Sequence, residues 1–456
     1  MNNNNIGKNR SEVNRIFRQF GITPFRNLLI PADFEQIADE TIKIKRRVRV
    51  LTPEVVFWLM ALVGCYANSM AGALRRSWHQ MKGNLSGLPY QVVSQGAFTQ
   101  ARKKLPIAFF KRIFNFVLEV FHNRYPQPNL WHGLRVKIFD GMTLTLPESK
   151  LLRKRFGSRR NQHKKSSAPV QGHLGALFSA FSGVCLGFAF GNLRLGEQQA
   201  LSKLIGLLSP GDLLLGDREY VGYRLWQRLM KKMIDFVFRL KEDYQVKKIK
   251  RVGKNEWLVE VKPPRDLLGR YSHLPCLTLR LIKYQIKGFR PMYLITSLVD
   301  AEKYPGKEII SLYPQRWQIE TRNNELKNMI KIENLCSKTS EGIVKEIWTH
   351  LTVANLVRLM MLEAAEQAGE EAIDLSYLLA LEKIIDTAVV MWHNPVHIWL
   401  MLYREMIEEI SQMRILKRPG RNYPREVKRR SGVSGTRLFV EVSYVPVYKK
   451  SAKSVA

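Results

Sequence analysis

A change of hydrophobic period near residue 130 limits how this chain can fold more than any other feature. Up to that point apolar residues recur at helical spacing, over Ser11 to Phe20, Pro31 to Ile42, Thr52 to Leu74, Ser94 to Leu105 and Pro106 to Phe121. Strand signals are nearly absent there, and Tyr125-Pro-Gln-Pro-Asn129 reads as a linker. Beyond it, β-type runs near 134–139, 173–181 and 184–190 precede a helix near 196–208, a strand at 212–216, a helix near 220–233 and a strand at 234–239. The order β, β, β, α, β, α, β predicts an α/β core. Two acids stand where strands of that core give way to loops. Asp140 follows the alternating run Leu134 to Phe139 and precedes Gly141, and Asp217 follows the apolar run Asp212 to Gly216. Either could instead be a turn former or helix cap, the commoner job of an Asp after a strand.

From about 241 to 297 the residues are again of β type, in the runs Lys247 to Val252, Trp257 to Val261, Leu277 to Tyr284 and Met292 to Ser297. After Lys331 the pattern is helical to about 413, then basic and irregular. Two uncharged stretches, Val55 to Leu74 and Leu174 to Phe190, could be mistaken for membrane spans. The first opens on Thr52-Pro53-Glu54, a capped helix start, and the second holds a turn at Ser182-Gly183, so a buried helix and two buried strands are expected.

The chain carries 73 Lys plus Arg against 39 Asp plus Glu, a formal charge of +34, which calls for a polyanionic partner. At 45% hydrophobic residues it also has the apolar material of a folded multidomain protein, which favours nucleic acid over a ribosome-like or membrane-surface role. The cysteines, Cys65, Cys185, Cys276 and Cys336, are scattered, as in a reducing compartment, and form no zinc ribbon. His393 and His397 have ligand-like spacing, but Asn394-Pro395 interrupts any helix between them, so they read as structural. The first residues lack the apolar core of an export signal.

Between Tyr313 and Lys327 the chain reads YPQRWQIETRNNELK. On one continuous helix Tyr313, Arg316, Glu320 and Lys327 would share an arc of about 60°, with Pro314 placed to start it. One acid, two cations and a phenol suit a surface where a carboxylate holds a metal beside a gripped phosphate backbone. A two-metal phosphoryl-transfer site needs further carboxylates, and Asp140 and Asp217 are the candidates.

The spacing Y-x2-R-x3-E-x6-K, with DGMTLTLPE from Asp140 and GDREYVGY around Asp217, resembles the IS4-type insertion-sequence transposases. The resemblance implies an α/β fold: a ribonuclease-H-like catalytic core with a β-rich insertion between the second Asp and the Glu, flanked by N- and C-terminal helical regions. It implies that Asp140, Asp217 and Glu320 form a catalytic triad binding two Mg²⁺ ions, with Mn²⁺ a possible substitute, and that Tyr313, Arg316 and Lys327 hold the DNA strand. The implied activity is cleavage at terminal inverted repeats of an element, then transfer of the freed 3′-hydroxyl into target DNA. Double-stranded DNA would be the partner, a homodimer the working unit and the bacterial cytoplasm, at the nucleoid, the place, with no membrane. The chain departs from the usual pattern at Met142, where Thr or Ser often stands, and at Glu219, where a small residue is common. Two other functions remain open, a catalytically silent DNA-binding descendant of a transposase and a ribonuclease-H-type nuclease.

The expected segments are a helical DNA-binding region at 1–130, the first part of the core at 131–240, the β-rich insertion at 241–297, the Glu-bearing part of the core at 298–335 and a helical region with a basic tail at 336–456. No acid lies between Glu148 and Glu197, while Arg153, Lys154, Arg155, Arg159, Arg160, Lys164 and Lys165 crowd the start of that interval. They form either a solvated loop or a phosphate contact beside Asp140. The helix from Ser94 to Leu105, with Arg102 and Lys103, is either a recognition helix or an ordinary basic surface helix. Trp257 is either a core residue or, as in some family members, a platform for a flipped base. The run Lys417 to Arg430 is either a solvated tail or a DNA contact.

Overall fold

The structure is a computed structural model. It describes residues 24–415 except 26–27, 43–49, 65–69, 85–90, 127–129, 158–167, 242–243, 265–273 and 286–290, together with 425–426 and 439–440. The expectations for Ser11 to Phe20, for Arg159, Arg160, Lys164 and Lys165, and for most of the basic tail fall outside those residues.

Among the described residues five helices precede the sheet: α1 (Pro31–Thr41), α2 (Pro53–Gly64), α3 (Met70–Asn84), α4 (Gln95–Lys104) and α5 (Ile107–Arg124). Pro at the first turn starts α1 and α2, where its missing N–H costs nothing. Ser94 starts α4, its hydroxyl accepting from the Ala97 N–H. Every residue of α2 from Val55 to Gly64 is buried, so this apolar stretch lies inside a helical layer. The stretch expected as one helix from Thr52 to Leu74 is described as two, α2 and α3.

The core is a nine-stranded sheet: β1 (Arg135–Thr145), β2 (Gln171–Ser179), β3 (Cys185–Asn192), β4 (Asp212–Gly216), β5 (Asp235–Arg239), β6 (Lys247–Gly253), β7 (Glu256–Val261), β8 (Leu277–Tyr284) and β9 (Met292–Thr296). Its order is β3-β2-β1-β4-β5-β9-β8-β7-β6, with β1, β4 and β5 mutually parallel and the other neighbours antiparallel. The strands of 241–297 thus extend the central sheet through the β5–β9 pairing. Fully buried Arg280 on β8 locks this half, bonding to Glu256 on β7 and to the Tyr304 carbonyl at 2.7 Å. Helices α6 (Lys150–Phe156), α7 (Glu197–Leu204) and α8 (Tyr223–Lys231) fill the connections.

After α9 (Gly306–Leu312) and the segment bearing Glu320, where α10 denotes Gln318–Asn324, three further helices follow among the described residues: α11 (Ser340–Ala368), α12 (Tyr377–Trp392) and α13 (Trp399–Gln412). Helix α11 is 29 residues long and buried over most of its length, packing on α2, α5, α12 and α13. It joins the helical layer to the sheet, since Asn355 bonds both backbone groups of Cys185 on β3 at 2.8 Å. Among the described residues no helix is long and apolar enough to cross a membrane.

Candidate active site

Parallel pairing of β1 with β4 runs from Arg135↔Asp212 to Ile138↔Leu215. Two residues further along each strand come Asp140 and Asp217, at the carboxyl edge where α/β sheets present their ligands. Asp217 does lie just past its strand, and its carboxylate caps the following turn by accepting from the Glu219 N–H at 2.8 Å. Asp140 does not terminate β1. The strand continues to Thr145 because β2 keeps pairing with it, Asp140 opposite Ala176, after β4 has ended.

The Tyr313–Lys327 stripe is not one continuous α-helix. A 3₁₀ turn (Tyr313–Trp317) leads into α10 (Gln318–Asn324), which widens into a π turn (Glu325–Met329). Pro314 supplies no N–H to the first part. In the last, Glu325 is buried between Arg322 and Arg358, and Ile330 N–H reaches back to the Glu325 carbonyl. Short π segments of this kind concentrate at functional sites. The uneven winding turns the four residues to different tasks. Tyr313 is buried and its hydroxyl donates to the Gly216 carbonyl at 3.2 Å, while Lys327 Nζ donates to the Thr143 carbonyl at 2.9 Å. Both therefore bind the segment to β4 and β1. Arg316 leans on the Tyr313 ring at 6.0 Å and its field favours the ionised form of Asp140. Glu320 is exposed, one turn before Asn323, whose side-chain amide reaches Asp140 Oδ2 at 3.4 Å.

Burial pushes the Asp140 carboxyl up to about 6, and the neighbouring Glu197 and Asp217 charges add to it, opposed by the Gly141 N–H and Arg316. Glu197, at the first position of α7, is the acid that sequence reading missed. An ideal Cβ on Gly141 would meet Glu197 Cγ at 3.0 Å and His173 Nε2 at 2.5 Å, so only glycine leaves room for these side chains beside Asp140. Glu197 accepts from the Tyr220 hydroxyl at 2.9 Å and its own pKa is raised, by burial first and then by Asp217 and Glu219. Its signal in the sequence was present: it ends the long acid-free interval and opens the helix after the third strand.

Hard oxygen donors with surplus negative charge suit a divalent cation such as Mg²⁺ or Mn²⁺. The surroundings fit as well, since Asn323 Oδ1 and His173 Nε2 are buried without hydrogen-bond partners among the described residues, while Arg316 Nε, an N–H donor in the same state, suits an anionic oxygen. Yet no three His, Cys, Asp or Glu side chains among those residues stand as a group that could hold a metal ion. The two aspartates are brought together; Glu320 lies on the segment that covers them without closing the triad.

The other expected contacts divide. Arg102 does not face solvent for DNA: it pairs with buried Glu346 on α11 at 2.8 Å and covers the Phe98 ring, because an acid buried in α11 needs a cation. Lys103 is exposed on the same helix. Arg153 is held by both carboxylate oxygens of Glu148, at 2.8 and 2.6 Å, whereas Lys154 and Arg155 are exposed. Trp257 is half-buried on β7 with Lys248 Nζ 3.9 Å from its ring centroid, so neither deep burial nor a free stacking face describes it. His393 and His397 are exposed and join no metal group among the described residues.

Known proteins place the chain. A profile of the Transposase DDE domain matches residues 131–356, from the start of β1 into α11. Transposase InsG for insertion sequence element IS4, from Escherichia coli strain K12, is 28% identical over 365 residues, covering 76% of this chain and 78% of the relative. A solved cryo-EM structure of a piggyBac transposase synaptic complex with hairpin DNA aligns with 87% of this chain and 86% of its own, at 12% identity and a TM-score of 0.39. The matched span includes Asp140, Asp217 and Glu320, and with the relative it shows a DNA transposase that carries a Transposase DDE domain, a class of enzyme that works with divalent metal ions.

Proposed function

We propose that this transposase cuts the 3′ ends of its element at terminal inverted repeats and joins them to target DNA, using Asp140, Asp217 and Glu320. The observation that carries the reading is the Asp140–Asp217 pair at the carboxyl edge of β1 and β4, covered by the segment that bears Glu320. Asp140 and Asp217 would hold the metals, two Mg²⁺ ions with Mn²⁺ as substitute, and Glu320 would complete the ligand set by turning from solvent toward the pair. When bound, such ions lower the pKa of an attacking oxygen and stabilise the leaving one.

The residues of the chain then have positioning work. Tyr313 and Lys327 hold the Glu320 segment against β4 and β1, and Asn323 fixes its height over Asp140. Arg316 is left to face the phosphate. In cleavage, water attacks the phosphodiester, releasing a 3′-hydroxyl and a 5′-phosphate. In transfer, that hydroxyl attacks a target phosphodiester in line and expels the target's own 3′-hydroxyl. No protein nucleophile is required, so the rate rests on alignment and charge neutralisation. The working unit is a homodimer that pairs two element ends, acting in the bacterial cytoplasm at the nucleoid. A strand-nicking assay on a labelled terminal repeat with Mg²⁺ tests the reading: wild type should nick and Glu320→Gln should not. Equal nicking by both, or no metal-dependent nicking by wild type, would overturn it. Cleavage of RNA in hybrids without terminal repeats would instead indicate a ribonuclease-H-type hydrolase.

A further inference from the structure

On the far side of α7 from Glu197 lies a cleft of about 400 Å³ between β3, α6, α7 and the start of α11. Three cations from three elements line it: Arg155 at the end of α6, Arg194 in the β3–α7 connection and Lys203 on α7. All three are exposed, and none makes an ion pair with another described residue. No carboxylate lines the cleft. The acid nearest along the chain, Glu341, is paired with Lys345 at 2.6 Å. Asn192 adds hydrogen-bonding capacity, and Ser340 brings the amino end of the 29-residue α11, where free N–H groups favour an anion. The adjoining sequence from 149 to 196 contains no acid, so nothing local neutralises this charge.

Unpaired cations drawn from separate elements around one hollow repel one another unless an anion occupies it. We infer that this cleft holds the phosphate backbone of the DNA duplex about 10 Å from the Asp pair, roughly one α-helix diameter and three nucleotide steps from the reacting phosphate. It is a backbone track that fixes register and reads no bases. The inference rests on the function proposed above, because only a strand led to Asp140 and Asp217 would pass this point. Of its three cations only Arg155 belonged to the sequence's basic cluster; Arg194 and Lys203 come to it through the fold.

The test is equilibrium binding of full-length protein to a duplex carrying the element end, in EDTA so that no strand is cut, from 50 to 400 mM salt. A triple variant, Arg155→Gln, Arg194→Gln and Lys203→Gln, should lower the slope of log K against log salt by about two to three, near 0.9 per lost phosphate contact. Its affinity at 150 mM salt should fall by about a hundredfold while its melting temperature stays unchanged. Ethylation interference on wild type should mark phosphates about three nucleotides from the nick, and the triple variant should lose those marks. An unchanged slope would overturn the inference. So would an equal drop on replacing exposed Lys250, Lys254 and Lys262 by Gln, which would make the effect one of net charge alone. Nicking with an unchanged slope removes only the cleft, and a reduced slope without nicking removes only the catalytic reading.

Discussion

Two charged clusters flank the segment from Tyr313 to Met329, and they are built on opposite plans. Toward the sheet, Glu197 and Asp217 raise the cost of ionising the buried Asp140, and Asp217 and Glu219 do the same to Glu197. Toward α11, Glu325 sits between the guanidiniums of Arg322 and Arg358, with Tyr377 under Arg358 at 4.6 Å and all three charged side chains almost wholly buried. The second cluster neutralises its acid internally and belongs to the architecture. The first leaves like charges in surplus, which a folded protein tolerates only where a ligand of opposite sign is to arrive.

The sharpest way to break this contrast is to remove one acid from the surplus side. Asp217→Asn or Asp140→Asn should reduce metal-dependent nicking by about a thousandfold, the several kcal/mol that a metal site contributes to the transition state. In metal-free buffer the same variants should melt no lower than wild type, because each relieves repulsion. Nicking within tenfold of wild type, measured under single-turnover conditions, would show that the surplus acids are not the metal ligands.

The other cluster should respond in the reverse sense. Glu325→Gln strands two buried guanidiniums and should cost about 3 to 5 kcal/mol in chemical denaturation. Glu320→Gln, five residues earlier and exposed, should change stability by no more than about 0.5 kcal/mol while abolishing nicking. Equal stability effects from the two would erase the distinction between an architectural and a chemical acid on one segment.

Much of this was legible in the sequence because local signals and the fold agree. The strand at 212–216, the capped helix behind Ser94 and the β-rich run to 297 all carry periodicities that the sheet and its packing reinforce. What was not legible depended on partners distant in the chain. Asp140 was read as a strand end because the run to Phe139 stops alternating there, but pairing with β2 carries the strand on to Thr145. Arg102 looked free because its partner Glu346 is 244 residues away. The Tyr313–Lys327 stripe was read at a uniform 100° per residue, which no local signal contradicts. Its 3₁₀ and π turns follow from Pro314 and from an acid drawn to Arg358 on another helix.

A third buried ionisable group, on the same helix as Arg358, sharpens the comparison from the neutral side. His350 is buried, its ring against Gly64, where a Cβ would meet Cε1 at 2.5 Å. Burial pushes its pKa from the ordinary 6.5 down to about 4. Because the folded value is the lower one, the unfolded chain takes up the proton first as pH falls. Stability from this group is therefore complete above about pH 6.5 and is lost progressively toward pH 4, by up to about 3 kcal/mol. Asp140, raised to about 6, acts in the opposite sense, so the check is a difference: between pH 7.5 and 5 the melting temperature of wild type should lose more than that of His350→Gln, whose curve should be the flatter. An unflattened curve would assign it to another group.

The smallest effect belongs to the far edge of the sheet, where a charge is neither buried nor in surplus. Lys248 lies over the Trp257 ring at 3.9 Å, yet its ammonium is exposed to water. A cation on an aromatic face at an exposed site contributes about 0.5 to 1 kcal/mol. Lys248→Gln should therefore lower stability by no more than that, and Trp257 fluorescence should shift as the ring loses its cover. If Trp257 only packs the edge of the sheet, nicking and DNA affinity will follow the loss of one surface charge. A gain in affinity on uncovering the ring would instead show that Lys248 occupies a face able to stack a base, because stacking contributes about 1 to 3 kcal/mol per base and would outweigh the lost charge.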